Sequence, residues 1–114
     1  MATVLVIRND VWVEVAETGA DKDPVELSRA GNDQVYWHAK EALVVRFANK
    51  SPFFTSEFLI PKGGSVGSGP IRPDAEVCRN SHPHPSTDHP GHYKYHIVKP
   101  RGPLLADPEI IIRD

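Results

Sequence analysis

His82, His84, His89 and His92 fall within eleven residues of a Pro-rich segment and make up four of the chain's six histidines. Neutral imidazole is the commonest metal ligand that proteins offer. Three or four nitrogen, sulfur or oxygen donors at about 2.0–2.3 Å would hold a divalent ion such as zinc or copper. The spacing His-x-His-x4-His-x2-His supplies four imidazoles, with Cys78 or Asp88 as an additional donor. Pro83, Pro85 and Pro90 bias their neighbours towards extended backbone. In an extended His82-x-His84 unit the two rings point the same way, which permits chelation without requiring it. In a hydrolytic version the ion would acidify a bound water, with Asp88 as base. The competing reading is a solvated loop whose histidines are simply polar, and the spacing matches none of the stringent zinc patterns.

Three other features bear on chemistry. Cys78 is either a small core residue or a thiol ligand or nucleophile, and a reactive thiol needs exposure and stabilisation of its thiolate. A Cys–His dyad would need spatial preorganisation that neighbours in sequence do not supply. The run from Gly63 to Gly69 has the look of a phosphate cradle. It lacks the following Lys-Ser/Thr, and Pro70 and Pro73 block the required helix, so it reads as a flexible loop. Trp12, Trp37, Tyr36, Phe53 and Phe54 could line a ligand surface, but most of them are expected in the core. Phe53 and Phe54 are candidate partner-binding residues, because adjacent residues of an extended chain face opposite ways and one of the two can stay exposed.

Composition narrows the class. The 114 residues suit one domain, residues 1–114, with a single core. With 13 basic and 15 acidic residues the formal charge is −2, and neither sign forms a long run. A nucleic-acid partner would call for a basic stripe, and none is present. No apolar run approaches the roughly 18 residues of a membrane span. The lone Cys78 cannot form an internal disulfide, which fits a reducing, cytoplasmic setting.

The elements that would position these residues are strands. Val4–Ile7 and Val11–Val15 are rich in β-branched residues around Arg8-Asn9-Asp10. Residues 17–34 read as loop, with one helical turn at Glu26–Ala30. Val35–His38 and Leu43–Phe47 flank Ala39–Ala42 as a hairpin. Phe53–Ile60 is a further strand. Tyr93, Tyr95 and Ile97 alternate with Lys94, His96 and Val98 as a half-buried strand, and Glu109–Arg113 closes the chain after Asp107-Pro108. Residues 61–92 hold five glycines and six prolines and form one long loop. The pattern predicts an all-β fold, an antiparallel Greek-key β-sandwich or barrel of about seven strands.

The order of these pieces resembles the cupredoxin, or blue-copper, family. Val44-Val45-Arg46-Phe47-Ala48-Asn49-Lys50-Ser51-Pro52-Phe53 resembles that family's Asn-bearing strand and loop. Gly91-His92-Tyr93-Lys94-Tyr95-His96-Ile97 resembles its late strand, and Asp107–Ile112 its last one. The resemblance covers residues 35–60 and 91–113 and implies a cupredoxin-like sandwich. It does not carry the copper ligands over: Phe53 and Phe54 stand where the first histidine would be, the late strand ends without a thiol, and Lys99–Ala106 has no His or Met. A blue-copper centre needs a thiolate, two imidazoles and usually a weak thioether. The expected function is therefore a non-catalytic binding or protein-interaction module on a copper-free cupredoxin-like sandwich. Its expected contacts are the 61–92 loop and Phe53-Phe54, towards a partner protein or a second copy. The alternative is a small metal-binding protein or metal-dependent enzyme using His82, His84, His89 and His92, with zinc or copper as the ion.

Overall fold

A computed structural model describes residues 9–47, 50–78, 90–100 and 104–113. The expected strand at Val4–Ile7 and the histidines at 82, 84 and 89 lie outside these residues. Eleven strands and no helix occur among the described residues. In chain order they are β1 (Asp10–Ala16), β2 (Gly19–Ala20), β3 (Val25–Ser28), β4 (Gln34–Ala39), β5 (Leu43–Arg46) and β6 (Glu57–Ile60). They continue as β7 (Ser65–Gly67), β8 (His92–Lys94), β9 (His96–Val98), β10 (Leu104–Ala106) and β11 (Glu109–Arg113).

They form three sheets, ordered β2-β1-β4-β7, β10-β9-β5-β6 and β3-β11-β8, and among the described residues no sheet closes into a barrel. All three feed one apolar core. Val13, Trp37, Val45, Phe58, Leu27, Tyr93, Ile97 and Ile110 belong to the same buried cluster. The expected all-antiparallel pairing is corrected at two places: β1 runs parallel to β4, and β3 parallel to β11.

Local expectations fail where packing overrides pattern. Glu26–Ala30 is not a helical turn, because β3 pairs with β11 and turns Val25 and Leu27 into the main core. The Asp33 carboxylate accepts the Ser28 N–H at 2.8 Å and stabilises the turn that follows. β4 and β5 are not a hairpin either. β1 and β7 occupy both edges of β4, so the chain crosses at residues 40–42 to a different sheet. The 61–92 loop contains β7, which pairs with β4 in the register Trp37↔Val66. Its residues Ile71, Ala75, Val77 and Cys78 are buried.

The late strand is broken at Tyr95. β8 pairs with β11 in one sheet and β9 with β5 in another. β11 is central in its sheet and buried on both faces, which explains the uninterrupted Ile110-Ile111-Ile112. Ile110 and Ile112 face the main core. Glu109 and Ile111 share the other face, where β8 brings His92 opposite Ile111.

Candidate functional site

That second face of β11 gathers three groups with chemistry. The His92 ring lies between Cys78 and Glu109, with Nε2 at 3.3 Å from the Cys78 Sγ and Nδ1 at 2.9 Å from Glu109 Oε1. Cys78 is 4% exposed, His92 1% and Glu109 6%. Each is placed by backbone. Glu109 is the first residue of β11 and sits diagonally from His92, two positions from Ile111, within reach of long side chains. The Glu109 N–H donates to Asp23 Oδ1 at 2.9 Å, which fixes the start of the strand.

Cys78 reaches the site because its N–H donates to the Ile112 carbonyl at 2.6 Å, while the Ile112 N–H donates to the Gly91 carbonyl at 2.8 Å. Cys78 and Gly91 thus meet on the same residue of β11, although thirteen positions apart in sequence. Gly91 has φ +86°. A Cβ there would come within 2.1 Å of the Cys78 nitrogen, so only glycine permits this approach.

The arrangement has a defined polarity. A carboxylate can only accept from Nδ1, so an Nδ1–H directed at Glu109 leaves the Nε2 lone pair for the thiol of Cys78. The same order of groups, carboxylate to imidazole to sulfur, orients a ligating histidine in metal sites. It also orients the base in a nucleophile–base dyad. Tetrahedral zinc with bonds of about 2.3 Å to sulfur and 2.0–2.1 Å to nitrogen places those atoms about 3.5 Å apart. The observed 3.3 Å is within a small ring movement of that value. Glu109 Oε2 is buried and has no hydrogen-bond partner. Buried carboxylate oxygens are rarely left so, and such an orphan is commonly completed by a water, an ion or a proton.

Of the sequence-predicted ligands, the structure describes only His92, which it places at the centre of this cluster. His82, His84, His89 and the accessory Asp88 lie outside the described residues, and no group of three potential ligands around one point occurs among those described. Cys78 is the buried small residue expected of it, and it also touches a ring nitrogen. Sequence reasoning missed Glu109. The available signal was a carboxylate opening a run of three isoleucines, but its meaning required the β8–β11 register.

Phe53 and Phe54 separate as their adjacency predicts. Phe53 is 2% exposed in the aromatic core and Phe54 is 69% exposed. Among the described residues no helix is long and apolar enough to cross a membrane. Comparison with known protein families, curated proteins and solved structures gives no match.

Proposed function

We propose that this chain is a metal-binding β-sandwich module of cupredoxin-like design that holds zinc or cuprous copper. Cys78 and His92 are ligands, and Glu109 orients the His92 ring. His82, His84 and His89, which lie in sequence between Cys78 and His92, are the candidates for the remaining positions. The observation that carries this reading is the buried chain Cys78 Sγ–His92 Nε2 and His92 Nδ1–Glu109 Oε1. Thiolate and imidazole suit borderline and soft ions. The usual axial thioether of a blue-copper centre is missing from this donor set, because Met1 is the only thioether in the chain. Bound metal would act by closing the segment between Cys78 and His92, so it would be linked to folding.

Metal analysis of untagged protein, followed by competition titrations with zinc and cuprous copper, tests this reading. One equivalent of either ion is expected, lost in Cys78→Ser and in His92→Gln. Binding should weaken but persist when only one of His82, His84 and His89 is replaced by Ala. Full-affinity binding in Cys78→Ser, or no specific uptake of either ion, would sink the proposal.

A second reading, a non-catalytic partner-binding module, is supported by the exposure of Phe54 on a tightly held turn. The two readings are compatible, because the turn and the Cys78–His92–Glu109 cluster share no residue.

A further inference from the structure

The turn at residues 50–56 is built to be rigid. Ser51 Oγ donates to the Thr55 carbonyl at 2.8 Å and accepts the Phe53 N–H at 3.1 Å. Arg72 braces it from the neighbouring segment. Its guanidinium donates to the Ser51 carbonyl at 2.6 Å and its N–H to the Pro52 carbonyl at 2.8 Å. Phe53 bridges to Ile71 and buries its ring, so Phe54 is turned outward. A large apolar ring held in water by a rigid turn loses little conformational entropy on binding, which is how interface anchors work.

The surroundings of Phe54 specify a partner. A shallow cavity of about 370 Å³ is lined by Lys50, Ser51, Phe53, Phe54, Thr55, Ser56 and Arg72. Among the described residues this lining has two cations, three hydroxyl groups and no carboxylate. Lys50 pairs with Glu76 at 3.3 Å, and Arg72 reaches Asp74 only at 3.8 Å. Both carboxylates lie outside the lining and are largely exposed, so these pairs are weak and open to competition.

We infer that this cavity docks an acidic segment of a partner protein, with an apolar side chain against Phe54 and carboxylates at Lys50 and Arg72. The inference rests on the partner-binding reading and is independent of the metal site.

The test uses ¹⁵N-labelled full chain and an acetylated, amidated pentapeptide, Asp-Glu-Phe-Asp-Glu, followed by amide chemical shifts. Saturable shifts are expected for residues 50–56 and 71–74, fading as salt is raised. Phe54→Ser and Lys50→Glu, both surface changes checked for folding by their spectra, should each weaken binding by about tenfold. Arg72 is left intact because it holds the turn. No shifts, shifts elsewhere, or equal shifts with Lys-Arg-Phe-Lys-Arg would overturn the inference. So would shifts at these residues from anionic phosphatidylglycerol vesicles but not from the peptide. Loss of metal uptake with peptide binding intact would leave this inference standing and remove only the metal reading.

Discussion

Glu109 carries more of the site than its position at the start of a strand suggests. Its Oε1 fixes the His92 ring, and its Oε2 is buried without a partner. Removing one member of such a buried pair leaves the other's polar group unsatisfied, at a cost of about 1–3 kcal/mol. Glu109→Gln is gentler, because the amide oxygen can still accept from Nδ1 while the charge is lost. Outer-shell carboxylates of this kind contribute about 10–100-fold in metal affinity. Glu109→Gln should therefore weaken zinc or cuprous copper binding by that range while leaving the fold intact, as measured by competition titration beside far-UV circular dichroism. An unchanged affinity would assign Glu109 to packing alone. From sequence, the histidines drew attention by number and spacing. Only His92 of the four is placed here, and its two partners, at 78 and 109, come from distant segments that meet through the pairing of β8 with β11. A residue's type was legible; its neighbours were not.

The elements show the same division between alternation, which sequence displays, and pairing, which it does not. β1, β5, β6 and β11 occur close to where β-branched and aromatic alternation placed them. The β4–β5 hairpin failed because a short connection fits a crossover between sheets as well as a turn, and β4 already had two neighbours. The parallel pairs join strands distant in sequence, and no local pattern marks them. β7 was hidden by the glycines in and around it, yet its own Gly67 has an element-level role. Trp12, Tyr36 and Gly67 lie in one cross-strand row on the outer face of β1, β4 and β7. The Trp12 and Tyr36 rings stack at 4.9 Å and 20°. A Cβ at Gly67 would come within 2.7 Å of the Tyr36 ring, which leans across the bare backbone. Gly67→Ala should push Tyr36 away, disturb the stack and cost about 1 kcal/mol. Near-UV circular dichroism and the denaturation midpoint read both effects, and a variant that kept both would show that the ring shifts at no cost.

At the scale of the whole molecule, one aromatic cluster links strands of different sheets. Trp37 of β4 packs on Phe58 of β6 at 5.1 Å, on Tyr95 at 5.7 Å and edge-on to Phe53 at 6.2 Å. Tyr95 occupies the break between β8 and β9, where the chain leaves one sheet for another, and its N–H is held by the Pro108 carbonyl. Its hydroxyl is fully buried without a hydrogen-bond partner, and so is the Trp37 indole nitrogen. Burial drives the Tyr95 hydroxyl far above its ordinary value of 10.0; the Trp37 N–H opposes this, but without normal hydrogen-bond geometry, and Asp23 and Asp21 add to the rise. The folded protein thus holds this proton more tightly than the unfolded chain does. Stability from this group is whole below about pH 10 and falls as pH rises from there towards the folded value, by about 1.4 kcal/mol per pH unit. Tyr95→Phe removes both the titration and the orphan hydroxyl. It should raise stability at neutral pH by about 1 kcal/mol, since an unsatisfied buried polar group is lost. It should also flatten the alkaline limb by one proton's slope, which urea denaturation at a series of pH values from 7 to 11 would measure. A variant less stable at neutral pH, with the same alkaline slope as the parent, would mean that the hydroxyl has a partner in solution and that this core is sealed by a polar contact and not by packing alone.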